Sequence, residues 1–442
     1  WHRFTTPNWD MPPDSGILDR FTQNITEFYY LGRLLSVVYL VWSVPLVYLI
    51  GRRMFTAGVG LAGAFLFFWS PLMLFQTHVV RTDSAALFFS LLGMWLCLRV
   101  YEAPTYRNYI FAGAAIGLAV ASRYFMGALV FSLLLATGAL MWRKGEGNGR
   151  ILMPRLILSL TIALITFALT TPYFFLDFGT VVTNFIEEGR STHLGADGLT
   201  PLGNLLWYLS NAIPTALKWP LTLFAVVGIG LSLWQRRLLS LLPLSFIVVL
   251  LLGISASSLH WGRWIVQTLP LLCLYAAAAL LAITRQLPPS WRPALMTSGI
   301  ALLAILPAYP TMTMALQSAN PSTNVVARTW VLDNIPPNSK IAQEWYGALL
   351  NGTPYALFVP PEISLPADRT LAQYYEDGFR YFIISSRVYG RYQNEPTRYT
   401  SELNFYQSLA EHGTLLQQFE PSTIRGGPVI KIYALASPPP TP

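Results

Sequence analysis

The sequence predicts a polytopic α-helical membrane protein carrying a small α/β domain at its C-terminal end. Three observations carry this. About ten apolar stretches follow one another between Leu34 and Met312. The short gaps between them alternate, one rich in Lys and Arg, the next holding the chain's few polar groups. From Asn320 onward Pro, Asn and charged residues return, and apolar residues come in short blocks.

Composition agrees with the membrane class. The chain is 53% hydrophobic, 14% aromatic and only 11% charged, with a mean hydropathy of +0.45. A soluble domain carries about 25% charged residues. The net charge of +8 sits in short loops between apolar spans, where the positive-inside rule accounts for it; nucleic acid is not an expected partner. Cys97 and Cys273 both lie inside apolar spans and are expected as small core residues, neither a disulfide nor a metal site. The chain begins at Trp1 with no Met and no signal peptide, as a fragment or a processed product does.

A hydrocarbon core of about 30 Å takes roughly 20 helical residues to cross. The candidate spans are 33-51, 57-77, 84-101, 108-121, 125-142, 152-171, 214-234, 238-255, 264-284 and 292-312. Only Ser122, Arg123 and Tyr124 separate the fourth from the fifth, which predicts a tight helical hairpin. Arg52-Arg53, Arg99 and Arg107, Arg143 to Arg155, Arg236-Arg237, and Arg285 with Arg292 fall on one side, which the cation rule makes cytoplasmic. The other side receives residues 1-32, the turn at Arg81-Asp83, Arg123, the loop 172-213, the loop 256-263 and the tail from about 313.

In that tail Lys340-Ala342, Tyr381-Ile384 and Val429-Tyr433 have the composition of strands. Residues 322-334 and 402-412 have helical periodicity, the second with Leu403, Tyr406, Leu409 and Ala410 on one face. The predicted organisation is an outer-loop segment 1-32, a transmembrane domain 33-312 with its long loop 172-213, an extracytoplasmic α/β domain 313-436, and a Pro-rich end 437-442. No internal repeat is visible, which disfavours transporters built from related halves.

Ionisable groups at a membrane boundary are costly unless they bind something. His78, Arg81 and Asp83 form one cluster, H-V-V-R-T-D, on the outer face. An Arg beside a carboxylate suits an anionic substrate group, and a carboxylate near a His suits a divalent cation. The plainer alternative is an Arg-Asp pair with Asp83 capping the helix that starts at Ser84. Arg123, followed by Tyr124, is either a phosphate contact or an interfacial anchor. His260, Arg263 and Trp264 form a third cluster, in which Trp261 and Trp264 by themselves fit an aromatic belt. The long loop adds Glu187, Glu188, Arg190, His193 and Asp197, mostly solvated, and an apolar patch Leu202-Leu209 suited to lie on the membrane. Three cation-bearing sites with few acids fit an anionic lipid headgroup. No GxGxxG after a strand, P-loop, HExxH or G-x-S-x-G occurs.

With these residues in view, the chain resembles the dolichyl-phosphate-mannose protein mannosyltransferase-like membrane glycosyltransferases of the GT-C class, which include the lipid A aminoarabinose transferases. The resemblance runs over about residues 28-285. It rests on Y-Y-L-G-R-L-L-S-V-V-Y-L (29-40), V-Y-L-I-G-R-R-M-F (47-55), G-L-A-G-A-F-L-F-F-W-S-P (60-71), H-V-V-R-T-D-S (78-84), G-L-A-V-A-S-R-Y (117-124) and G-R-W-I-V-Q-T-L-P (262-270). The tail from Ala327 is similar to the outer domains that bacterial members append. The resemblance implies transfer of a sugar from a polyprenyl-phosphate carrier, with inversion, to a protein, lipid or glycan acceptor outside the cytoplasmic membrane. Membrane lipids are then partners, no nucleotide is used, and a divalent metal ion is a candidate cofactor. It also implies that Asp83 is the acidic residue of the second outer loop and Arg81 its basic neighbour. Arg123 then faces the carrier phosphate, and Arg263 with Trp264 stands near the carrier. His78, Tyr124 and His260 complete the expected substrate-binding set.

The sequence departs from the family at its start. The first transmembrane helix and the Asp or Asp-Glu pair expected just after it are not visible before Phe28, and Asp10, Asp14, Asp19 and Glu27 lack that context. This implies that the chain as given is truncated and lacks the general base. The competing readings are a polytopic lipid or solute transporter or flippase, an O-antigen ligase or polymerase-like enzyme, and a non-catalytic scaffold.

Overall fold

The protein was analysed as a computed structural model, which describes residues 25–144, 149–188, 198–393 and 396–438. The candidate acids Asp10, Asp14 and Asp19 lie outside the described residues, as do Arg190, His193, Asp197 and the side chains of Glu27 and Glu188. The described residues form two compact units that divide between Thr311 and Met312.

The first unit is helical throughout. Its helices in order are Ile25–Met54, Ala57–Phe68, Pro71–His78, Asp83–Glu102, Tyr106–Ser122, Leu129–Lys144, Gly149–Thr170, Tyr173–Leu176, Phe178–Glu188, Pro201–Trp207, Ile213–Leu217, Trp219–Trp234, Leu238–Ser255, Leu269–Thr284 and the start of Arg292–Ser318. Among the described residues six helices are long and apolar enough to cross a membrane, or up to eight if each bent pair is one span. That is fewer than the ten spans expected. Tyr106–Ser122 and Leu269–Thr284 are apolar but only 17 and 16 residues long. The expected span 264-284 starts late because Gly262–Ile265 forms a 3-10 turn and Pro270 opens the helix proper. The expected span 57-77 is two helices meeting at a 56° bend before Pro71.

Span 214-234 is also changed. Pro201–Leu217 and Trp219–Trp234 meet at 118°, and Lys218 between them has φ 69° and ψ 149°. Elsewhere small residues let backbones close on one another. A Cβ on Gly113 would stand 2.2 Å from Ser159 O, and one on Gly117 2.5 Å from Ala163 O. These two glycines, one turn apart, seat Tyr106–Ser122 on Gly149–Thr170 in the small-xxx-small manner of membrane helices. Polar side chains add to this: Ser159 Oγ donates to Tyr109 O at 2.7 Å between the same two helices, and Tyr109 Oη meets Thr137 Oγ1 of Leu129–Lys144 at 2.9 Å.

Two of the basic helix ends meet. Arg53 pairs with Glu102, and Arg53 and Arg99 flank the Trp95 ring at 5.6 and 5.1 Å. Asp83 begins the same 20-residue helix whose last turn holds Arg99. At 1.5 Å per residue about 24 Å of helix separates them.

The second unit is an α/β domain with a five-stranded sheet in the order β2-β1-β3-β5-β4. β1 (Lys340–Gln343), β3 (Tyr381–Ser385) and β5 (Ile430–Ala434) lie at the three expected places. β2 (Ala356–Phe358) has only three residues, and β4 (Thr414–Phe419) is an exposed edge strand with a bulge at Leu415/Gln417. Neither shows the alternation that marks a strand in sequence. β1 is parallel to β2 and β3, while β5 runs antiparallel to β3 and β4. Alternate side chains feed two cores: Phe382 and Ile384 on one face, Ile341, Ile383 and Ile432 on the other. Helices Thr323–Asn334 and Thr400–His412 form where periodicity predicts them. The second buries Phe405 with Leu409, and leaves Ala410 exposed, so its inner face is turned from the predicted one.

Candidate functional site

Asp83 is the first residue of its helix, where a carboxylate complements the positive end of the dipole. It is fully buried. Its partner is not Arg81, which is exposed, but Arg123, 40 residues on, with Arg123 Nη2 2.6 Å from Asp83 Oδ1. Helix Tyr106–Ser122 ends at Arg123, whose extended backbone (φ −156°, ψ 125°) turns the chain before a 3-10 turn at Tyr124–Ala128. That break presents the guanidinium to Asp83. The Asp83 side chain does not cap its helix: Thr82 occupies the cap position and no side-chain cap bond forms.

The pair is close but poorly aligned. Neither carboxylate oxygen of Asp83 nor Arg123 Nε has a hydrogen-bond partner among the described residues. The contact is therefore one of charge, with directional bonding capacity left over on both groups. Arg123 also lies over the Phe125 ring at 5.2 Å, and Phe125 meets Trp264 at 5.9 Å. Through these rings the first cation site touches the third cluster.

That cluster is held by the segment 198–217. Gly198 N donates to Ser258 O at 2.9 Å, and buried Asn204 donates to Ser257 O at 2.9 Å. Trp207 then stacks on His260 with centroids 4.2 Å apart, and Trp261 N donates to Tyr208 Oη at 3.2 Å. Arg263 lies 4.4 Å over the Trp261 ring. Leu202, Leu206 and Leu209 of this segment are exposed along one side.

Sequence reasoning missed Gln267. It is fully buried, three residues beyond Trp264, and neither its amide oxygen nor its nitrogen has a hydrogen-bond partner among the described residues. A glutamine within an apolar run was the available signal. Trp207 and Tyr208 were missed because only the fold carries them to His260.

Two expected residues point elsewhere. His78 Nδ1 bonds within its own helix, 3.0 Å from Leu74 O and 3.1 Å from Thr77 Oγ1. Tyr124 packs against Phe167, Phe174 and Phe185 and lines an open pocket of about 710 Å³ with Asp177 and Asn184. Among the described residues no three His, Cys, Asp or Glu side chains gather as a metal site. The one buried carboxylate here is committed to Arg123, so these residues by themselves do not fit a divalent ion.

A family model described as dolichyl-phosphate-mannose-protein mannosyltransferase matches residues 23–173. The chain is similar to that family. The match spans the motifs from 29-40 to 117-124, with Asp83 and Arg123 inside it, and the resemblance to membrane glycosyltransferases is thereby shown. No curated protein matches the chain. Solved structures similar to it include ArnT from Cupriavidus metallidurans in the apo state, at 14% identity and TM-score 0.44, covering 90% of this chain and 83% of that one. The same protein bound to undecaprenyl phosphate matches at 14% and 0.43, covering 93% and 85%. The Archaeoglobus fulgidus oligosaccharyltransferase complex with Zn and sulfate matches at 15% and 0.45, covering 90% of this chain and 61% of that one.

Proposed function

We propose that the chain belongs to an enzyme that transfers a glycosyl group from a polyprenyl-phosphate-linked sugar to an acceptor on the outer face of the cytoplasmic membrane, with inversion. The observation that carries this reading is the buried Asp83–Arg123 pair, set inside the stretch that matches the mannosyltransferase family. The unit up to about residue 312 is the transferase domain, and residues 313-436 are an extracytoplasmic domain.

The chemistry asks for cations. The acceptor oxygen attacks the anomeric carbon from the face opposite the phosphate, and the C–O bond to the phosphate breaks. The lipid phosphate departs with the bonding pair. It leaves without protonation, so preorganised positive groups lower the barrier more than an acid does. Arg123 and Arg263 fill that role, with His260 and Trp264 completing the wall. The acceptor hydroxyl proton passes to a carboxylate. Asp83 is the candidate carboxylate among the described residues, and at rest it holds Arg123 in place.

The test is transfer from polyprenyl-phosphate-linked sugars by the full-length protein in proteoliposomes. Asp83→Ala and Arg263→Ala are each expected to lower the rate at least ~100-fold, the size of losing one electrostatic stabiliser. Near-normal transfer in both variants rejects the assignment.

A further inference from the structure

The second unit carries a cavity that the transfer reaction does not use. It is an open pocket of about 730 Å³ whose polar and aromatic lining is Tyr389 and Gln393 of helix Ser386–Gln393, Tyr406 and Gln407 of helix Thr400–His412, and Lys431 and Tyr433 of β5, with Ile384, Leu403 and Ala410 between them. Three phenols, two amides and one ammonium share the wall with three aliphatic side chains. Among the described residues no carboxylate lines it. The ammonium of Lys431 lies 5.7 Å over the Tyr389 ring, and Tyr389 meets Tyr406 edge-on at 6.0 Å and 60°.

The wall is fixed from behind. Glu344 follows β1 and is fully buried. It takes the Tyr406 hydroxyl on Oε1 and the Ser385 N–H on Oε2, the latter at 2.9 Å. Burial pushes its carboxyl up to about 8, so at neutral pH the group behind Tyr406 is mostly uncharged. Tyr406 therefore does not swing freely; its ring is held as a preformed surface.

These groups match one ligand chemistry. Ring faces take the C–H faces of pyranose rings, while amides and a lone ammonium give and accept directional bonds as hydroxyls require. An inorganic anion would need more than one cation, and a hydrocarbon would offer nothing to the Lys431 ammonium or the Gln393 amide. Gln407 Nε2 donates to Glu411 Oε1 at 2.9 Å. We propose that this cavity binds a neutral saccharide chain, with sugar rings against Tyr389 and Tyr406 and hydroxyls on Gln393, Gln407 and Lys431. The proposal goes beyond glycosyl transfer, because binding here needs no donor and no turnover.

The test uses the full-length protein in lipid nanodiscs, free of maltoside detergent, titrated with mannohexaose, maltohexaose and chitohexaose. Saturation-transfer NMR is expected to show ring protons of at least one of them in contact with tyrosine. Tyr389→Ala and Gln407→Ala are each expected to weaken binding about tenfold, a loss of 1.4 kcal/mol. Ser408→Ala, which lines a different cavity, leaves it unchanged. Should Tyr389→Ala misfold, Gln393→Ala at an exposed position decides in its place. Absence of binding by all three hexasaccharides at millimolar concentration overturns the proposal. So does binding untouched by the variants, or displacement by an unstructured peptide in preference to any sugar.

Discussion

At the scale of single residues, Asp83 and Arg123 set the terms. A fully buried carboxylate is tolerable because a guanidinium only 14% exposed stands 2.6 Å away. Removing one partner strands the other, at a cost of about 3–5 kcal/mol. Arg123→Met is therefore expected to destabilise the membrane unit by that amount, and Asp83→Asn combined with Arg123→Met by clearly less than the sum of the two single changes. Thermal unfolding in nanodiscs reads both; strictly additive losses would mean that the pair is not coupled. Glu344 makes a second residue-scale prediction. Its carboxyl rises from an ordinary 4.5 to about 8 in the fold, chiefly through burial, so the folded state keeps a proton that the unfolded chain gives up. Stability of the second unit is then greatest below pH 4.5, falls as pH rises through the window to 8, and levels off above it. The slope is at most ~1.4 kcal/mol per pH unit. Glu344→Gln flattens this dependence; a slope that survives the substitution assigns it to another group.

At the scale of elements, close approach and breaks decide the architecture. Gly113 meets Ser159 O where a Cβ would stand at 2.2 Å, so even Gly113→Ala must push two helices apart. The expected cost is about 1–3 kcal/mol, as for overpacking a filled interior. It is measurable as a lower midpoint of thermal unfolding, and an unchanged midpoint would show that the contact relaxes freely. Lys218 gives the opposite sign. Its φ of 69° with ψ 149° falls where only glycine rests without strain, at the 118° bend before Trp219. Lys218→Gly is expected to stabilise by about 1 kcal/mol, and a loss of stability would show that the Lys side chain, not the backbone, sustains the bend.

At the scale of the whole molecule, the charge alternation is a statement about sidedness. Arg53, Arg99 and Glu102 meet at one end of the helices, and Asp83 with Arg123 at the other. Cys97 and Cys273 are fully buried, so introduced cysteines report with little background. Arg236→Cys and Arg143→Cys are expected to react with an impermeant maleimide only from the cytoplasmic side, and Thr180→Cys and Ser408→Cys only from outside. Labelling of Arg236→Cys and Thr180→Cys from the same side would reject the orientation.

The sequence by itself determined the class of this protein, the rough places of its apolar helices and three of the five strands. Those features are local: apolar runs, cation-rich gaps and period-two blocks depend on near neighbours in the chain. It also put Asp83, Arg123, Arg263 and Trp264 on one short roll of candidates, because charge beside a membrane is costly wherever the chain folds. What it did not contain was the pairing. Arg81 stands two residues from Asp83, yet Arg123 holds the carboxylate, since a helix end delivers it from 40 positions away. Trp207 on His260, Tyr406 on Glu344 and the break at Lys218 are of the same kind. Each is a contact or a bend imposed by packing between distant segments, and only the tertiary structure decides which distant segments meet.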